Sequence, residues 1–185
     1  MTAAQYREMM QGGGTAKTKS DYINRCSNDR GRTFENLIMD GCEAYAREGR
    51  AIINKVYEPY RCIRILEDGK FIGQFVGRAE PDFKGVLNGG RAVAFEAKST
   101  NKSRIQRNAL TDEQMEWLEA QQTMGALAFV CVQIQGQFFS VPWNSWRDMK
   151  TIYGKKFLMP GDMKEFRVRF DGDVKFLDYV SNEIE

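Results

Sequence analysis

The sequence predicts an α/β fold in which helices flank a mixed β-sheet. Apolar residues recur at helical spacing from Phe34 to Tyr45, and a capping-box pattern opens a second helix at Thr111. The run 126–132 is apolar throughout, and several strand-like segments are separated by short turns that contain glycine. Because the elements follow the order α, several β, α, β, the sheet is expected to pack against helices.

The first half of the chain begins with a segment, residues 1–24, that we expect to be a flexible basic arm, followed by one domain over 25–185. Its glycines and polar residues leave little to bury. A helix is predicted from near Arg32 to Gly49, with Asn28 and Asp29 as candidate caps. Then come a strand at 51–57, a hairpin around 67–69 and a hairpin over 82–98 that turns at 88–90.

The second half begins with the helix at Thr111, where Gln114 completes the capping box and Gly125 ends the helix. A buried strand over 126–134 is expected to pair with "QFFSV" across Gln135-Gly136. A short helix over 143–150 and a last hairpin around 171–173 complete the prediction.

The amino-acid composition limits the kinds of catalytic site that the chain can contain. The 185 residues carry a net charge of +2 and include no histidine, which excludes Ser-His-Asp catalysis, Cys-His catalysis and histidine metal sites. The four cysteines have no C-x-x-C spacing, so buried, reduced thiols are expected. With no apolar run of membrane-spanning length, we expect a cytoplasmic protein.

The hairpin over 82–98 carries the candidate site. Alternation in a strand places Glu96 and Lys98 on one face, and a three-residue loop sets Phe83 opposite Phe95. Asp82 then lies opposite Glu96 at about 5 Å between Cβ atoms. Two carboxylates this close repel one another unless a cation lies between them.

A divalent metal centre is the functional interpretation of this pattern. Mg²⁺ takes a few carboxylate oxygens, retained waters and substrate phosphate oxygens. Lys98 on the same face is expected to orient water or stabilise charge on a phosphate. The alternative is a strand end with solvated charges. Six Lys/Arg and one acid over 84–107 favour a polyanionic substrate, although a solvated basic face is the competing interpretation.

The segments "PDFKG" and "AFEAK" resemble the PD-(D/E)xK nuclease superfamily, whose fold is a restriction-endonuclease-like mixed sheet flanked by helices. Together with "NDRGRTFENLIMDGCEAYAREGRAIINKVYEPY" and "LTDEQMEWLEAQQTMGALAFVCV", they are similar to the RecU-type Holliday junction resolvases over about residues 28–146. The resemblance implies a homodimeric, Mg²⁺-dependent endonuclease that resolves four-way DNA junctions, with Mn²⁺ able to replace Mg²⁺. It also implies a stalk over 62–76, short in this chain.

The resemblance assigns Asp82, Glu96 and Glu35 as metal ligands and Lys98 and Gln114 as further catalytic residues. For Glu35 the alternative is a solvent-facing helix residue, and for Gln114 it is the capping box alone. Basic residues near the site, at the base of the stalk and in the arm are expected to hold DNA phosphates. These DNA-binding candidates are Lys102, Arg104, Arg107, Arg61, Arg64, Arg78 and Arg32.

The chain also departs from the family pattern, in the residues before Asp82, at Glu113 and in the length of the stalk. These departures concern junction selectivity more than metal chemistry, and they fit a phage or mobile-element variant. Two alternatives therefore stay open. One is a nuclease of the same fold without junction selectivity, and the other is a DNA-binding protein that does not cut.

Overall fold

The fold is built on a five-stranded mixed β-sheet. A computed structural model of the chain describes residues 19–57, 59–75, 77 and 80–178. Its strands are, in chain order, Ala51–Lys55 (β1), Tyr60–Ile65 (β2), Phe71–Phe75 (β3), Phe83–Leu87 (β4), Ala92–Thr100 (β5), Ile105–Gln106 (β6), Leu127–Ile134 (β7), Gln137–Pro142 (β8) and Phe157–Leu158 (β9).

Four α-helices appear in the described part of the chain: Lys19–Arg47 (α1), Asp112–Thr123 (α2), Trp143–Arg147 (α3) and Met149–Tyr153 (α4). Two short 3₁₀ turns cover Arg107–Ala109 and Lys164–Phe166. None of the helices over these described ranges has the length and apolar character needed to cross a bilayer.

The main sheet has the strand order β1-β4-β5-β7-β8. β5 and β7 run parallel, joined through α2, while the other neighbours are antiparallel. Phe83 lies opposite Phe95 in the β4–β5 ladder, as the three-residue loop predicted. Their rings stack at 5.0 Å between centroids. The predicted mixed sheet flanked by helices is confirmed.

Two apolar clusters lie on opposite faces of the sheet, because alternate side chains of one strand point to opposite sides. Phe129 and Cys131 of β7 pack with α1 and with Val93 and Phe95 of β5. On the other face, Val130 and Val132 of β7 pack with α2 and α3. Cys42 and Cys131 are free and buried, as expected from the cysteine spacing. Cys62 is also free but is exposed on β2, so the expectation of a buried thiol is wrong there.

The predicted start of the first helix near Arg32 is wrong, because α1 begins at Lys19. Asn28 and Asp29 favour a helix start through their own side chains, but this preference is weaker than the tendency of a formed helix to extend. Once the buried part of α1 forms, each added residue gains one backbone hydrogen bond, so the helix extends past them. The predicted arm therefore shares residues 19–24 with α1, and residues 1–18 lie outside the described residues.

The predicted C-terminal hairpin forms only in part: one antiparallel bridge, between Phe170 and Val174, crosses the predicted turn. Its residues form a 3₁₀ turn and two isolated bridges instead of paired strands. The backbone N–H of Val168 donates to the Phe138 carbonyl, and that of Val174 donates to the Leu37 carbonyl at 3.4 Å. Across the turn, the backbone N–H of Lys175 donates to the Arg169 carbonyl at 3.0 Å. The segment thus divides its hydrogen bonds among its own turn, β8 and α1, and its apolar side chains are buried there.

The hairpin formed by β2 and β3 is a separate two-stranded sheet, and it occupies the position predicted for the stalk. Every residue of β2 is exposed. Tyr60 and Phe71 stack across the hairpin with centroids 4.9 Å apart. The hairpin thus presents both aromatic and basic side chains to solvent.

Candidate active site

The site lies where β4 begins and β5 passes beside it. Asp82 comes immediately before β4, and the Phe83–Phe95 register sets it beside Glu96. The Asp82 carboxylate accepts a hydrogen bond from the backbone N–H of Ala97 at 2.8 Å. This bond joins the two strands and holds the carboxylate at the position that the hairpin register predicted.

Lys98 joins the two acids. Its Nζ lies 3.0 Å from Oε2 of Glu96 and 3.8 Å from Oδ2 of Asp82. Glu96 and Lys98 are two positions apart in β5 and therefore share a face. The structure thus brings Asp82, Glu96 and Lys98 together into one group, which we name the acid–lysine centre.

Glu96 is the most deeply buried member of this centre, with 1% of its surface exposed. Burial raises its pKa from 4.5 to about 8, because a charge there is poorly hydrated. The nearby Lys98 opposes this rise in pKa, and the Asp82 carboxylate adds to it. The buried carboxyl therefore keeps its proton near neutral pH unless a further cation approaches.

Gln114 has two roles at once. Its Oε1 accepts from the backbone N–H of Thr111 at 3.1 Å, which completes the predicted capping box of α2. Its Nε2 donates to Oε2 of Glu96 at 2.5 Å. The capping interpretation and the site interpretation of Gln114 are therefore compatible, because opposite ends of one amide serve them.

Glu35 lies apart from this arrangement. Its carboxylate forms an ion pair with Nζ of Lys55. Sequence reasoning did not identify this contact, although one signal was available: Lys55 has the same parity in β1 as the buried Ala51 and Ile53, so it faces α1. The structure does not gather Glu35 with Asp82 and Glu96 into a three-carboxylate group.

The basic candidates occupy three places. Arg61 and Arg64 are exposed on the β2–β3 hairpin, and Arg32 is exposed on α1. Lys102 and Arg104 are exposed in the segment after β5, where Arg107 is half-buried and donates from Nε to the Arg147 carbonyl at 3.3 Å. The remaining candidate, Arg78, lies outside the described residues.

A divalent metal ion fits the donor set of the acid–lysine centre. Asp82 and Glu96 offer two carboxylates, and Mg²⁺ is usually bound by one or two carboxylates with waters and substrate phosphates. Among the described residues, no three His, Cys, Asp or Glu side chains are grouped so that they could hold an ion. Asp82 and Glu96 are therefore the two carboxylates that the fold brings together here.

The mixed sheet with helices on both faces, and the two acids and lysine on its central strands, are the features of a PD-(D/E)xK nuclease. The sequence model of one family, RecU (recombination protein U), matches residues 29–181. The chain belongs to the RecU family, as its motifs indicated. It is thus a junction-resolving nuclease by class.

Among solved structures, the chain is similar to the Holliday junction resolvase Hjc from the archaeal hyperthermophile Archaeoglobus fulgidus. The two share 18% identity with a TM-score of 0.45, over 72% of this chain and 92% of that chain. No curated protein matches the chain.

Proposed function

We propose that this chain is a Mg²⁺-dependent endodeoxyribonuclease that cuts opposed strands of a four-way DNA junction as a homodimer. The observation that supports this best is the contact of Lys98 with both carboxylates of adjacent strands, in a chain of the RecU family. Two sites related by a two-fold axis are suited to paired nicks. We further propose that the enzyme works in the cytoplasm, which suits its free cysteines.

Asp82 and Glu96 are the proposed metal ligands, and Mn²⁺ is expected to replace Mg²⁺. When bound, the ion lowers the pKa of a water and offsets negative charge on the phosphate. Glu96 must give up its proton to serve as a ligand. The Gln114 amide fixes the orientation of the Glu96 carboxylate, since it donates to one of its oxygens.

Lys98 is proposed to act as a cation rather than a base. Its Nζ lies beside side-chain oxygens of both Glu96 and Asp82. If Asp82 and Glu96 held a metal ion, Lys98 would be able to donate to a non-bridging phosphate oxygen or to the attacking water. In-line attack by that water leaves a 5′-phosphate.

Glu35 is proposed as a further ligand from α1, with one condition. Its carboxylate is held by Lys55, so the ion pair has to open before Glu35 can contribute to the centre. The basic residues Lys102, Arg104, Arg107, Arg61, Arg64, Arg78 and Arg32 are proposed DNA contacts.

The direct test compares cleavage of a synthetic four-way junction with cleavage of a linear duplex of matched sequence, with Mg²⁺ or EDTA. We expect paired nicks in the junction, little cutting of the duplex and no cutting in EDTA. Equal rates on both substrates would instead identify a nuclease without junction selectivity. Binding without cutting in Mg²⁺ would identify a non-cleaving DNA-binding protein.

A further inference from the structure

A small two-stranded sheet, whose first strand follows β5 in the chain, joins two distant parts of the sequence. β6 pairs with β9, with Ile105 opposite Leu158 and Gln106 opposite Phe157. The backbone N–H of Arg107 also donates to the Lys156 carbonyl at 2.9 Å. Ile105 and Leu158 are buried in the core on the α2 face, which fixes this sheet to the body of the protein.

The exposed face of this sheet carries an ordered cation. The guanidinium of Arg104 lies over the ring of Phe157, 4.7 Å from its centroid. The ammonium of Lys155 lies 5.0 Å from the same centroid and is held by Asp162 at 2.8 Å. The aromatic ring therefore limits the freedom of Arg104 without neutralising its charge.

Three cations beside this sheet have no acidic partner among the residues that the structure describes. Lys102, Arg104 and Lys156 are exposed, and none of them forms an ion pair with any carboxylate in the described ranges. We name these three cations, each within three positions of β6 or β9 in the chain, together with Phe157, the β6–β9 platform. Cations of this kind are suited to binding phosphates, because no ion pair within the protein has to break before they do so.

The platform lies close to the acid–lysine centre along the chain. Lys98 and Arg104 are six positions apart, so their Cα atoms are separated by at most about 20 Å. This span is similar to the width of a DNA duplex. Two phosphates of one duplex can span a separation up to this bound, one at Lys98 and the other at Arg104.

We propose that the β6–β9 platform binds backbone phosphates of the duplex arm that flanks the cleaved phosphate. This inference rests on the proposed function and adds a DNA-contacting segment, Lys156 with Phe157, that no motif identified. Arg104 offers a planar fork that matches a phosphate, and Lys156 offers a point charge. Because only phosphates are contacted, the platform adds affinity without base preference.

The test is the salt dependence of binding to a linear duplex in EDTA. Each lost phosphate contact should make the plot of log K against log salt shallower by about 0.9. We expect Arg104→Ala with Lys156→Ala to reduce the slope by about 1.8 and to weaken binding. Phe157→Leu, which keeps every charge, should weaken binding because Arg104 loses its support.

The matched control is Arg47→Ala. Arg47 is exposed at the end of α1, next to the start of β1 and at the sheet end opposite to the acid–lysine centre. Its substitution should leave the slope and the affinity unchanged. Thermal melting of each variant checks that the fold is intact.

The outcomes separate this inference from the proposed function. If the wild-type chain nicks a four-way junction but the double variant keeps the wild-type slope, the platform does not bind phosphates and this inference is overturned. An equal loss of slope in Arg47→Ala would also overturn it, since the effect would then be general charge. If the wild-type chain neither binds nor nicks DNA, the proposed function fails too.

Discussion

The proposed chemistry depends most on one residue, the buried carboxyl of Glu96. It accepts from both Lys98 and Gln114, yet it is almost completely removed from solvent. Burial raises its pKa to about 8, so the metal-free protein binds a proton there near neutral pH. Metal binding at Glu96 would therefore release this proton, because a carboxyl group has to be deprotonated to serve as a ligand.

The raised pKa predicts how stability depends on pH without metal. The folded state holds the Glu96 proton more tightly than the unfolded chain, whose pKa is near 4.5. The stabilisation is therefore complete below pH 4.5 and is lost as pH rises through about 8. We expect a lower melting temperature at pH 8.5 than at pH 6 in EDTA, where each unit of pKa difference corresponds to about 1.4 kcal/mol.

Glu96→Gln is the control for this pH effect, because an amide does not titrate. Its melting temperature should change much less between the same two pH values. The chain has no histidine, so no imidazole titrates in this window. A wild-type melting temperature that rises from pH 6 to pH 8.5 would contradict the raised pKa of Glu96.

The two roles of Gln114 can be separated by a pair of substitutions. Both Gln114→Ala and Thr111→Ala break the capping box and should destabilise the protein by about 1 kcal/mol. Only Gln114→Ala removes the hydrogen bond to Glu96. We expect single-turnover junction cleavage to slow in Gln114→Ala and to stay near the wild-type rate in Thr111→Ala.

The pH profile of cleavage adds a second measurement for Gln114. Loss of its donated hydrogen bond should shift the ascending limb of the Gln114→Ala profile to higher pH, because the charged form of Glu96 is less stabilised. Equal rates and equal profiles in the two variants would show that Gln114 only caps α2.

The grouping of Asp82, Glu96 and Lys98 could be predicted from sequence, because strand alternation and loop length set the hairpin register. The contact between Gln114 and Glu96 could not, because it depends on how α2 packs across β5. The same holds for the Glu35–Lys55 pair. The direction in which Lys55 faces could be predicted from alternation in β1, but its partner Glu35 is set by the packing of α1.

At the scale of elements, α1 and the C-terminal segment pack unusually closely. A Cβ built on Gly41 would lie 2.6 Å from the Val174 carbonyl oxygen. The Tyr45 hydroxyl accepts from the backbone N–H of Leu177, which ties the same segment to the helix. The segment makes one bridge across its own turn and also hydrogen-bonds to α1 and β8, so the predicted hairpin forms only in part. Such long-range partners leave no local signal in the sequence.

Two glycines of the same helix test this contact. Gly41→Ala should destabilise the protein by about 1–3 kcal/mol, because backbone has to move to admit the methyl group. Gly31→Ala, with no atom within 4 Å of the added Cβ, should stabilise it by about 0.5–1 kcal/mol. Denaturant unfolding measures both variants. If Gly41→Ala stabilises the protein as Gly31→Ala does, the close packing at Gly41 is refuted.

At the scale of the whole molecule, one sheet separates two cores and carries the acid–lysine centre at one end of its central strands. The strand types and most turns were readable from alternation and glycine positions. The β6–β9 pairing was not, because each strand has two residues and its partner lies far along the chain. The DNA surface proposed here therefore combines a motif that the sequence reveals with one that only the fold assembles.

The central claim is that Asp82 and Glu96 hold the metal ion that drives junction cleavage. Single-turnover cleavage of a four-way junction in Mg²⁺ by Asp82→Asn, with the enzyme saturating, tests it most directly. Glu80→Gln, an exposed carboxylate two positions earlier, is the matched control. We predict that Asp82→Asn loses at least about a hundredfold in rate, while junction binding in EDTA and the Glu80→Gln rate stay near wild type. Cleavage by Asp82→Asn near the wild-type rate would contradict the account.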